Sequence, residues 1–323
     1  MREILTRLRD TALARTKSLL SGHRMAGVTL GLLVVGGVAL GVTLSGSSAP
    51  AHHRIRTEAP TTSSSSTSST TSTSLTTPTT SSTPSTSAPV ASSFTPIGFT
   101  PTPGLLAGKV VGVDPGHNGK NYTDPTFLNK QIFNGVNYEG CDTTGTETDS
   151  GYSEAQFNFN VATYLRSDLE ADGATVVMTR TSNTGVGPCV TTRAQILNNA
   201  GADVAVDIHA DGGPTTGRGF AVLEPVADGP NDAIVGPSES LGALVVSHFL
   251  TTGIPTSNYD GTNGVDFRNN LAGLNLATEP KILIECGNMK NPIDAALLVT
   301  PAFQQSAAAA LAQAVIAFLT TNS

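Results

Sequence analysis

The sequence predicts an α/β fold: a single domain whose mostly parallel, twisted sheet carries helices on both faces, preceded by a membrane anchor and a disordered linker. Three observations predict it. From Lys109 onward, short β-branched runs alternate with longer stretches of helical periodicity, the order that builds a parallel sheet with crossover helices. Composition changes sharply near residues 46 and 105. Two of the strands end alike, each running into a turn or loop that presents a histidine.

Residues 1–25 read as a cytoplasmic basic tail, with Arg2, Arg7, Arg9, Arg15, Lys17 and Arg24 set against Glu3 and Asp10. Residues 26–45 are uncharged and apolar, close to the roughly 20 residues that cross a hydrocarbon core of about 30 Å. The basic flank keeps the N-terminus inside and sends the remainder out. A cleaved signal peptide is the rival reading, because Ala49-Pro50-Ala51 offers small residues for cleavage. The apolar run, however, exceeds the usual signal core of about 7–15 residues. The expected location is the cell membrane, single-pass, with the folded part outside the cytoplasm, or secreted if the segment is cleaved. Residues 46–104 are dominated by Ser, Thr, Pro and Ala, as in the run Ser63 to Ser74. Such a tract buries too little apolar surface to offset its ordering entropy and is expected to be disordered.

The folded part is residues 105–323. Val110, Val111 and Val113 form a buried strand, which Asp114-Pro115-Gly116 stops just before His117. Ser153 caps a helix with Phe157, Val161, Tyr164, Leu165 and Leu169 on one face, and Gly173 ends it. Ala174 to Met178 is the second strand, Thr191 to Ala200 the second helix. Val204 to Ile208 is a strand that leads into His209-Ala210-Asp211-Gly212. Phe220 to Leu223 adds another strand. Ser238 to Leu250 forms a helix with Leu241, Leu244, Val245 and Phe249 inward, whereas the Gly and Pro content of Ala227 to Pro237 argues against helix there. Ile282 to Ile284 is the last clear strand, and Phe303 to Leu319 an alanine-rich closing helix.

A net charge of -7 with no basic run beyond the first two dozen residues excludes nucleic acid as a partner. The three cysteines show no CxxC spacing, which excludes a zinc knuckle. The chemistry lies elsewhere. Strands that each deliver a histidine to their carboxyl end aim both imidazoles at one point. Glu154 opens the first helix, and Glu285 ends the apolar strand KILIE. The plainer roles are hydrogen bonding in a loop for a histidine, a helix-dipole partner for Glu154, and a salt bridge for Glu285. The stronger reading is two histidines and a glutamate as three metal ligands, with a fourth position for water, and a second glutamate as general base.

In order, VVGVDPGHNG, Glu154 at a helix start, AVDIHADGG and ILIECGNMKNPIDAALL resemble the motifs of the zinc-dependent N-acetylmuramoyl-L-alanine amidases of the type-3 family. The resemblance runs from residue 108 to about residue 320. It implies one Zn2+ ion held by His117, Glu154 and His209, with Glu285 as catalytic acid/base. It implies hydrolysis of the amide between the lactyl group of N-acetylmuramic acid and L-alanine, on peptidoglycan or muropeptides; separately, the chain is expected to be a monomer. Two departures stand out. The segment Asn121 to Gly151, including Cys141, replaces a short Gly-rich connection, and the loop Ser182 to Pro188 precedes Cys189. Outside the cytoplasm Cys141 and Cys189 are expected to form a disulfide, a pattern closest to single-domain actinobacterial members. Cys286 is expected to be a buried apolar residue, since both histidines a thiol would need are taken by metal. Asp114 either orients His117 or caps the turn. Asp211, Arg218, Arg268 and Asn275 either contact glycan or peptide or are structural. Division-type relatives carry a long helix over the metal, and Ala210 to Gly219 is too short for one. Two other functions stay open: a zinc peptidase acting within the stem peptide, and a non-catalytic wall-binding protein.

Overall fold

The computed structural model describes residues 94–321. The expected basic tail, the anchor at 26–45 and the linker up to residue 93 lie outside the described residues. In chain order the elements begin with β1 (Val110–Pro115), followed by the insert, which holds α1 (Pro125–Leu128) and a hairpin of β2 (Gln131–Phe133) and β3 (Tyr138–Gly140). Next come α2 (Glu154–Ala171), β4 (Thr175–Met178), α3 (Val190–Ala200), β5 (Val204–Asp211) and β6 (Ala221–Pro225). The chain closes with α4 (Asp232–Phe249), β7 (Val265–Arg268), α5 (Ala272–Asn275), β8 (Lys281–Asn288), α6 (Pro292–Leu298) and α7 (Pro301–Thr321).

The six-stranded sheet has the order β4-β1-β5-β8-β6-β7. Strands β4, β1, β5 and β8 are parallel, and β6 turns back antiparallel to β8 with β7 parallel to it. The sheet is therefore mostly parallel with a reversed edge pair. Side chains alternate across a strand, and the two faces differ in kind. Val111, Val113, Val206, Ile208, Ile282 and Ile284 join the main core with Phe157, Leu165, Leu241 and Phe303, beneath α2, α4 and α7. The alternate positions Asp114, Asp207 and Lys281 are buried on the other face, beside a small apolar cluster of Ala221, Leu223, Leu274 and Leu283. Charges there survive because they are paired: Lys281 Nζ lies 2.9 Å from Asp207, and Arg193 lies 2.7 Å from Asp114.

Two expectations are corrected. Helix α4 begins at Asp232 rather than Ser238 and contains Pro237. Ile234 extends its buried stripe backwards, and packing of that stripe overrides the local cost of proline. Ordered packing also starts ahead of residue 105. Phe94, Ile97 and Phe99 rest on the core, the Phe94 and Phe303 rings are 5.7 Å apart, and the Ile97 amide donates to Ser306 Oγ at 3.0 Å. Among the described residues, Asp232–Thr252 and Pro301–Thr321 are long and apolar enough to cross a membrane; α4 and α7 within them pack against each other in the main core.

Candidate metal and active site

The site forms where β1, β5 and β8 end beside the start of α2. The chain leaves β1 with the Gly116 amide donating to Ile208 O at 3.0 Å. A side chain at 116 has no room, because its Cβ would overlap the His209 imidazole. His117 follows at φ 56, a left-handed conformation uncommon outside glycine. Its carbonyl accepts a 2.7 Å hydrogen bond from Arg193 Nη2, which holds it there. His209 comes from β5 and faces Glu285 of β8 in register. Glu154 is the first residue of α2, fixed by the Ser153 cap that accepts from the Gln156 amide at 3.3 Å.

The side chains converge. His117 Nε2 lies 3.2 Å and His209 Nδ1 2.8 Å from Glu154 Oε1, and the two rings stand edge to face with centroids 4.8 Å apart. One donor atom from each of His117, Glu154 and His209 lies within 4.8 Å of the others. Two imidazole nitrogens and a carboxylate oxygen are the donor set of a catalytic zinc site, so the residues fit a metal ion. Thr146 N donates to Glu154 Oε2 at 2.9 Å, and the intervening Gly145 has no space for a Cβ between Glu154 and the His117 ring.

The two glutamates are driven in opposite directions. Burial opposes ionisation of Glu154, but His117 and His209 outweigh it and hold it well below the ordinary range. Burial, reinforced by Glu154 and Asp211, pushes Glu285 well above it. Glu285 Oε2 is buried without a hydrogen-bond partner, and among the described residues no Lys or Arg pairs with it. Burial also opposes charge on His117, yet Glu154 and Asp142 raise it to about 10. Such divergent carboxylates mark acid/base assignments. All four open into a cleft of about 520 Å³ that continues down the charged face past Asp207 and Leu283 and sideways to Arg268.

The remaining flagged residues divide. Asp211 and Arg268 line the cleft. Arg218 pairs with buried Asp294 at 3.2 Å, and buried Asn275 donates to Asn269 O at 2.9 Å, so both brace loops. Cys286 is buried and its thiol is pushed up by burial and by Glu285, which disables it as a nucleophile. Asp114 does not orient His117: it bonds Arg193 and Thr179 instead. Against burial, Arg193 and Lys281 lower it to about 2. The carboxylate beside His117 Nδ1 is Asp142, at 3.2 Å. Sequence reasoning missed it, and missed the hairpin and Arg193; the only signal was its place next to Cys141, whose disulfide to Cys189 is formed.

Residues 111–317 match the family model described as N-acetylmuramoyl-L-alanine amidase. A curated N-acetylmuramoyl-L-alanine amidase of Mycobacterium tuberculosis is 41% identical over 223 residues, covering 68% of this chain and 90% of the relative. The crystal structure of the N-acetylmuramyl-L-alanine amidase Ami1 from Mycobacterium smegmatis superposes with a TM-score of 0.64 at 39% identity, covering 67% of this chain and 99% of that one. The corresponding Ami1 structure from Mycobacterium abscessus gives 0.63 at 39% identity, covering 66% and 100%.

Proposed function

The chain belongs to the N-acetylmuramoyl-L-alanine amidase family, and from that premise we propose that it works with a single zinc ion held by His117, Glu154 and His209, with Glu285 as acid/base. The reaction is hydrolysis of the amide joining N-acetylmuramic acid to L-alanine in peptidoglycan, and it takes place outside the cytoplasm, where the wall is. The observation that carries the assignment is the gathering of three metal donors from three separate elements, with Glu285 on the neighbouring strand.

When bound, zinc supplies Lewis acidity, lowering the pKa of a water toward about 7 and polarising the scissile carbonyl. The protein's own contribution is positional and protonic. Glu285, lifted in pKa by its buried position, takes the proton from the attacking water and returns it to the departing alanine nitrogen. Glu154 stays ionised between the histidines, where its charge serves binding rather than proton transfer. All four groups come from one chain, so a single copy holds a complete set. The basic tail and the apolar segment 26–45 support a membrane tether.

The test is mass analysis of muropeptides after incubation with the purified protein, with and without chelator. The expected products are lactyl-muramic acid and an intact stem peptide with a free L-alanine amine, formed only without chelator. Cleavage inside the stem peptide would identify a peptidase, and no cleavage under either condition would identify a binding protein.

A further inference from the structure

We propose that Asp142 is the positioning residue for His117 as a metal ligand, and that the Cys141–Cys189 disulfide delivers it. This rests on the metal reading above. His117 turns Nε2 to Glu154 and Nδ1 to Asp142 Oδ1, at 3.2 Å each. The Thr143 carbonyl and hydroxyl lie 3.2 and 3.3 Å from the same Nδ1. An imidazole whose Nδ1–H donates to a carboxylate presents its lone pair at Nε2, with its ring orientation fixed and its basicity raised.

The delivery is built from both ends. Asp142 is 6% exposed, and its other oxygen lies 3.3 Å from Arg193 Nη2. The same Arg193 nitrogen donates to the His117 carbonyl at 2.7 Å, so one guanidinium registers the ring's partner against the ring's own backbone. Arg193 sits in the first turn of α3, whose N-cap is Cys189. Cys189 is bonded to Cys141, the residue before Asp142, and the Val190 amide donates to Cys141 O at 2.8 Å. The left-handed backbone of His117 is thereby over-determined, as strained functional residues must be. The ring's partner thus comes from the segment Asn121 to Gly151, which lies between His117 and Glu154 in the chain.

The experiment compares the full chain with D142N, the disulfide-free pair C141S/C189S, and D149N, an exposed control on the same segment. Zinc affinity is measured by competition with a chromogenic chelator, and the visible spectrum of each cobalt(II)-loaded form is recorded. Circular dichroism of the chelated proteins monitors folding. The expected result is zinc affinity weaker by about 10–100-fold in D142N, a shifted cobalt spectrum, a smaller loss in C141S/C189S and none in D149N. If D142N loses its folded signal, the comparison passes to C141S/C189S, which retains the aspartate but frees it. Wild-type zinc affinity and an unchanged cobalt spectrum in D142N, or in a folded C141S/C189S where D142N does not fold, would overturn the proposal. Absence of zinc binding in the wild-type chain would instead sink the metal reading beneath it.

Discussion

At the scale of single residues, the donors and the acid/base separate by what their loss does. Replacing Glu285 by Gln keeps its shape while removing the group that carries the proton, so zinc content should stay at wild type. Turnover should fall by about 10²–10⁴-fold. Replacing His209 by Ala removes a donor, so metal and turnover should disappear together; metal analysis beside a muropeptide assay checks both. A Glu285→Gln variant with near-full turnover would remove Glu285 from the chemistry. The four principal residues were legible because apolar runs mark β1, β5 and β8 and the Ser153 cap marks the start of α2, although β5 and β8 run on past His209 and Glu285 to Asp211 and Asn288. Asp142 was not. It lies in an irregular segment, and its contact with His117 spans 25 positions, a closure that no local periodicity announces.

At the scale of elements, the insert behaves as a module pinned to α3. The disulfide closes a loop with a separation of 48 residues, for which chain entropy gives up to about 4 kcal/mol. Thermal denaturation of C141S/C189S should show a clear fall in midpoint, and an unchanged midpoint would mean that hydrogen bonds alone hold the insert. The elements themselves were largely readable: α2 and α3 lie where apolar spacing, the Ser153 cap and Gly201 put them. Strands β5 and β8 start as expected but run past His209 and Glu285 because Asp211 and Asn288 still pair. Gly201 takes the left-handed end position with φ 61. What escaped reading depended on distant partners. The hairpin of β2 and β3 has three-residue strands, too short for a period-two signal. The early start of α4 depends on Ile234 finding the core rather than on its neighbours in sequence.

At the scale of the whole molecule, metal, proton and fold are linked. In the metal-free protein His117 is raised from 6.5 to about 10. Its proton therefore supports the metal-free fold fully below pH 6.5, and that support drains away as pH rises through about 10. Metal must displace the proton. Zinc affinity should accordingly tighten by about tenfold per pH unit up to that value, for one proton released. Chelator competition at several pH values, alongside melting curves of loaded and chelated protein, measures both effects. A pH-independent affinity would show that His117 is already neutral before metal arrives.

Phe94, Ile97 and Phe99 seat against the helical side of the sheet, while the cleft opens over the opposite, charged side. A tether entering the domain at Phe94, as proposed above, would hold the catalytic body from the side away from the cleft. Shortening the run that precedes Phe94 should change which wall strands come within reach and leave the turnover of small soluble fragments untouched. Reach and rate would then be set by separate parts of the chain.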